Sequence, residues 1–151
     1  MVWITQLCVS SEYRNRGYAK GLLENLGQSD NDRAFGSLSS HPFAILAVLR
    51  VYGRGVEDVN FDMTKAHARS IMQSCPVAYV TQAKLHGSLF DSLVDDKSVS
   101  CADTGFWVDH EEPLAALISV REKGIDWPLG DLPEGHEFLI IVNTKTSEDH
   151  R

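Results

Sequence analysis

Cysteine is scarce in this chain. Cys8, Cys75 and Cys101 are three in 151 residues, an odd number with wide spacing. They form neither a disulfide framework nor a C-x-x-C metal knuckle, so reduced, partly buried thiols are expected. No apolar run approaches the ~20 residues of a membrane-crossing helix, so no membrane partner is expected. The start, Met-Val-Trp-Ile-Thr-Gln, lacks a basic segment followed by a long apolar core. That argues against a secretory signal and points to the cytoplasm, with the nucleus also open. Positive charge is the minority, 14 Lys and Arg against 21 Asp and Glu, a formal net charge of −7. A nucleic-acid-binding surface would be basic, so none is expected. The balance suits a cationic acceptor such as an amine, through long-range attraction. G-x-x-x-x-G-K-[ST], G-x-G-x-x-G and G-x-S-x-G are all missing, leaving nucleotide hydrolysis and serine hydrolase chemistry without support.

What is present is an ordinary globular composition, 43% hydrophobic and 23% charged, long enough for one domain over residues 1–151. Val2 to Val9 reads as a strand, rich in residues that suit a pleated surface. Ser10 to Arg16 is a polar turn. A helix from Gly17 or Tyr18 to about Gly27 follows, with Leu22, Leu23 and Leu26 on one face. The turn carries Arg14, Gly17 and Ala19 in the spacing R-x-x-G-x-A. A helix start leaves backbone N–H groups unpaired and carries partial positive charge. Small residues there let an anion approach the amides, which makes a pyrophosphate cradle.

Ala34 to Leu38 reads as a second strand. A helix runs from Pro42 to Tyr52, with Ser at its N-cap and Gly53-Arg54-Gly55 at its end. Further on, Asp62 to Cys75 reads as a helix with Met63, Ala66, Ile71 and Met72 near one face. Val77 to Val80 reads as a strand or turn, and Gln82 to Leu93 as including a helix. Ser98 to Val108 reads as a strand. Asp109 to Gly124 reads as a helix with a capping box between Asp109 and Glu112. Glu137 to Val142 reads as a buried strand and 143–151 as a polar tail.

The stretch Leu7 to Leu23 resembles the acetyl-CoA-binding motif of the GNAT superfamily of N-acetyltransferases. That pattern runs L-x-V-x-P-x-x-R-x-x-G-x-G/A, then a helix with paired Leu. Leu7, Val9, Arg14, Gly17, Ala19, Leu22 and Leu23 fit, and Ser11 replaces the proline. Family members often continue with N-P-x-A-I-x-L-Y-x-x-x-G. Here Pro42, Ala44, Ile45 and Gly53 fit, while His41 replaces Asn and Val48 replaces Tyr.

The resemblance implies an α+β fold, a mixed sheet with flanking helices, and acetyl-CoA as cofactor. Residues 1–55 would form the CoA-binding region and 56–151 the remaining strands and helices. The backbone of Leu7, Cys8 and Val9 would pair with pantetheine. The turn of Arg14, Asn15, Arg16, Gly17, Tyr18 and Ala19 would hold the pyrophosphate. The implied activity is direct acetyl transfer to an amine-bearing acceptor. The alternative is a CoA-binding or structural protein without transfer.

The family's N-terminal strands have no counterpart ahead of residue 2. Val2–Val9 would then be an open sheet edge. Three explanations are open: a piece of a longer protein, an edge paired with a second copy in a homodimer, or a domain that no longer transfers acetyl groups. The motif strand lacks a carboxylate for a general base. Tyr52, one helical turn past Val48, is the candidate general acid, against simple packing at a helix end. His41 is a candidate facing the cofactor, against a polar residue at a helix start. Asp109-His110-Glu111-Glu112 reads as capping rather than a metal site, because neighbouring residues point in different directions. Trp107 and Trp127 read as core or interface aromatics, with an acceptor pocket as the other option. Cys8 reads as a packed thiol rather than a nucleophile.

Overall fold

The computed structural model describes residues 2–26, 34–52, 55–105 and 109–144. Five strands form one sheet: β1 (Val2–Ile4), β2 (Ala34–Ser39), β3 (Lys84–His86), β4 (Cys101–Asp103) and β5 (His136–Asn143). Their order is β1-β2-β5-β4-β3. β1 and β2 are parallel and every other pair is antiparallel, so the sheet is mixed. The helices are α1 (Tyr18–Asn25), α2 (Pro42–Val51), α3 (Asp62–Ser74), α4 (Ala78–Thr81) and α5 (Glu111–Glu122). The result is an α+β architecture compatible with a GNAT-like fold. Among the described residues no helix is long and apolar enough to cross a membrane.

Side chains alternate across the sheet, and each face has its own core. Phe35, Phe138, Ile140 and Val142 meet Leu23 of α1, Ile45 and Leu49 of α2, and Leu117 and Val120 of α5. Leu38, Leu139 and Ile141 meet Ala68 and Met72 of α3 and Val80 of α4. The near-continuous apolar run of β5 is what a central strand buried on both faces requires. Gly36 is small for a reason: a Cβ there would collide with the indole of Trp3 on β1. At the end of α5, Gly124 has φ 75°, and Ile125 N–H reaches Val120 O over 3.3 Å. This is the left-handed helix stop expected of that glycine.

Several expectations need correction. β1 stops at Ile4, with Ile4 opposite Ser37 as the last rung, instead of running to Val9. The chain then turns away, held by Tyr79 Oη donating to Thr5 O at 3.2 Å and Arg14 Nε donating to Val9 O at 2.9 Å. Residues 77–81 contain the helical turn α4, and 82–93 contain β3 followed by turns, because β3 finds β4 as a partner. Only Leu23 of the leucine trio on α1 is buried; Leu22 and Leu26 are exposed. The buried stripe of α3 is Thr64-Ala68-Met72, whereas Ala66 faces solvent. The expected strand over 98–108 shrinks to Cys101–Asp103. Its residues 106–108, with Trp107, lie outside the described residues, as do Gly53 and the tail from 145.

Candidate functional site

β1, β2 and β4 point the same way, since β5 runs against both β2 and β4. The helices that follow them, α1, α2 and α5, therefore begin at the same end of the sheet. Each helix start carries partial positive charge, so three positive ends gather there. The R-x-x-G-x-A turn lies among them.

The turn is built for exposure. Asn15 has φ 62° and Gly17 φ 81°, both left-handed. Gly17 is the N-cap of α1, and among the described residues no side chain caps that helix. The first intrahelical bond runs from Gly21 N–H to Gly17 O at 2.9 Å, leaving the amides of Tyr18, Ala19 and Lys20 ahead of it without intrahelical acceptors. A Cβ built on Gly17 would meet nothing within 4 Å, so open space lies over the turn. Tyr13 and Tyr18 flank it edge to face, with ring centroids 5.9 Å apart, and both are exposed. The Arg16 guanidinium lies 5.8 Å from the Tyr13 ring centre. Lys20 pairs with Glu24 at 3.7 Å on the exposed face of α1.

Arg14 is less free. Besides bonding Val9 O, its guanidinium pairs with the Glu112 carboxylate in the first turn of α5. Glu112 was the residue that sequence reasoning missed. Its signal was the Asp109–Glu112 spacing, which read as a capping box. Asp109 Oδ1 does accept from Glu111 N–H at 2.9 Å, but His110 is the N-cap and Glu112 reaches across 98 residues of sequence to Arg14. The bond from Arg14 holds the Glu112 carboxyl below its ordinary value, with help from nearby His41. That makes Glu112 a weak base.

His41 is the N-cap of α2, in place of the expected serine. Its Nδ1 accepts from Phe43 N–H at 3.3 Å, while Ser39 Oγ accepts from His41 N–H at 3.1 Å. Nε2 lies 3.5 Å from Glu112 Oε1, long for a hydrogen bond. Burial pushes the imidazole below its ordinary value, outweighing the opposing pull of Glu112. A neutral ring with Nδ1 accepting carries its proton on Nε2. Nδ1 of His41 is thus committed to the cap, while Nε2 faces Glu112 beyond normal hydrogen-bond length.

Tyr52 lies at the other end of α2, about 16 Å along the helix axis from His41. It is 3% exposed and stacks on Phe35, with centroids 4.4 Å apart. The two catalytic candidates are therefore not brought together, and Tyr52 packs at a helix end. Trp127 is also in the core, against Phe138, with its Nε1 donating to Gly130 O at 3.1 Å. Cys8 is an exposed free thiol instead of a packed one, because the chain has left the sheet by that point. The backbone groups of Leu7 and Cys8 make no hydrogen bond among the described residues. Leu7 packs its side chain on the core while Cys8 faces outward. Among the described residues, no group of three or more His, Cys, Asp or Glu side chains converges on a metal position.

Comparisons with protein-family models, with curated proteins and with solved structures find no match to this chain.

Proposed function

We propose that this protein binds acetyl-CoA at the turn between β1 and α1 and acts as a GNAT-type N-acetyltransferase, or as the cofactor-binding part of one. The observation that carries the reading is the exposed, uncapped start of α1 behind a left-handed Gly17, with open space where a side chain would sit. The residues fit the group: free amides and the Arg16 and Lys20 cations suit a pyrophosphate. Tyr13 and Tyr18 offer flat apolar faces beside them. The backbone of Leu7 and Cys8, which makes no hydrogen bond among the described residues, suits strand-like bonding to an extended amide chain.

Acetyl-CoA supplies the activated acyl carbon. The chain's own part is to hold the anion, align the arm and position an amine. Arg14 serves first as a tie, fastening Val9 O and Glu112, so Arg16 and Lys20 carry the accessible charge. The net charge of −7 favours a cationic amine acceptor.

A second reading, CoA binding without transfer, draws support from two observations. Tyr52 is sealed against Phe35, and Nδ1 of His41 is committed to the cap of α2. Tyr52 is not poised for proton transfer, and His41 is held in the cap.

Thermal unfolding with acetyl-CoA tests the cofactor reading. At a hundredfold excess over Kd a ligand of the folded state adds about 2.7 kcal/mol. For a chain of this size that corresponds to a Tm rise of about 5–11 °C. Gly17→Asp puts a negative charge over the amides and should remove the rise. No shift in the wild type, or an equal shift in G17D, rejects the site. Thiol release with an amine acceptor then separates the two readings: a shift without release selects binding alone. Solution mass tests whether a second copy pairs with the β1 edge.

A further inference from the structure

A pair of histidines on the β5-β4-β3 side of the sheet has a different chemistry. His86 ends β3 and His136 begins β5, with β4 between them. The rings lean toward each other across β4, centroids 5.0 Å apart and planes inclined by 62°. β3 lies about 19 Å from β1, four strand spacings away, and β5 about 10 Å, two spacings away.

Each ring has one nitrogen fixed. His86 Nε2 is 2.6 Å from Asp96 Oδ2. The other oxygen of Asp96 accepts from the Ser98 N–H at 3.0 Å and from the Ser98 hydroxyl. Asp96 is therefore an acceptor, and His86 Nε2 carries the hydrogen. His136 Nδ1 is 2.8 Å from Glu134 O, a carbonyl that only accepts, so this nitrogen also carries its hydrogen. Among the described residues His86 Nδ1 and His136 Nε2 have no hydrogen-bond partner, so in the neutral rings they are lone-pair nitrogens.

This is the wiring of metal-binding imidazoles: one nitrogen donates to a carboxylate or a backbone carbonyl, and the other is held ready as a ligand. The separation also fits. With metal–nitrogen bonds of 2.0–2.1 Å at a tetrahedral angle, two imidazole centroids lie about 5 Å apart. Asp103 faces His136 in the ladder and adds negative charge nearby, although its Oδ1 accepts from Gly105 N–H at 3.1 Å and Lys84 faces it from β3.

We propose that His86 and His136 form a two-imidazole site for a divalent transition-metal ion, with water or an external ligand in the remaining positions. Imidazole donors select the zinc, copper and nickel class over calcium or magnesium. Asp96 is a positioning residue that fixes the His86 tautomer. The site is independent of the acetyl-CoA reading.

The test is zinc titration of the full chain near neutral pH, by calorimetry and by long-range proton–nitrogen spectra of the imidazoles. One equivalent should bind with Kd well below ~1 mM. His86 Nδ1 and His136 Nε2 should shift, while the rings of His41, His67, His110 and His150 should not. His136→Gln should abolish that equivalent. Asp96→Asn, which keeps both ligands, should weaken it about 10–100-fold. The spectra read the wild type, so the test survives a variant that fails to fold. Zinc that shifts other rings, or binding unchanged in H136Q, overturns the proposal. So does the absence of saturable binding, which would leave the pair as a stacked contact only.

Discussion

Thr64 is a single hydroxyl that completes the sheet. The rungs between β4 and β5 end at Phe138, opposite Cys101, so farther along β5 the backbone groups on that side have no strand to meet. Ser100 serves Leu139, accepting from its N–H at 3.2 Å and donating from Oγ to its carbonyl at 2.6 Å. For Ile141 the partner is Thr64 of α3. Its Oγ1 donates to Ile141 O at 3.0 Å and accepts from Ile141 N–H at 2.9 Å. Thr64 is 0% exposed, so water cannot replace it. Thr64→Val keeps the shape and strands both backbone groups. At about 1–3 kcal/mol for each buried unsatisfied group, the loss should be about 3 kcal/mol after some relaxation. Thr64→Ser keeps both bonds and gives up one methyl group, about 0.8 kcal/mol. The expected order of stability is wild type, T64S, T64V, whereas hydrophobicity alone would put T64V first and T64S last. Urea unfolding reads it as a fall in midpoint with the slope retained. The corresponding fall in Tm for T64V is about 6–12 °C. A T64V variant as stable as T64S would refute the reasoning.

Gly36→Ala should push the Trp3 ring off the sheet; the overpacking costs about 1–3 kcal/mol and should appear as a changed near-ultraviolet signal from the indole. Glu137 is 6% exposed, and burial raises its carboxyl above the ordinary value, despite an opposing bond from Thr104. Stability tied to it is therefore complete at low pH and lost as pH rises through the ordinary carboxylate value and then the raised one. Glu137→Gln should raise Tm at neutral pH, and the gain should vanish below about pH 4 in a pH series of melts. Glu112→Gln breaks an exposed ion pair, so stability should change by less than about 1 kcal/mol. The freed Arg14 should tighten acetyl-CoA binding, measured by calorimetry; weaker binding would mean that Glu112 supports the turn instead of competing for its charge.

Local patterning made much of the fold legible. The apolar run of β5, the proline at the start of α2 and Gly124 after α5 each mark an element through forces acting within a few residues. The turn at Arg14–Ala19 was legible for the same reason, since a left-handed glycine before a helix is a local conformational demand. The short strands were harder. β3 and β4 are three residues each and exist because they pair with one another and with β5. Nothing in Lys84-Leu85-His86 by itself prefers a strand to the helix expected there.

The sequence alone determined where the turn and the exposed helix start lie: Gly17 permits the turn, and the helix after it begins with amides that lack intrahelical acceptors. It also determined the apolar strand around which both cores are built. Only the tertiary structure decided which charges remain available at that turn. Glu112 is 98 residues from Arg14 and claims its guanidinium, because α1 and α5 begin at the same end of the sheet. The fates of Tyr52 and His41 were decided the same way, one against Phe35 and the other at a cap beside Glu112. Backbone conformation is set mainly by near neighbours. The surroundings of a side chain are set by whatever the sheet order brings beside it, and no spacing along the chain encodes that directly.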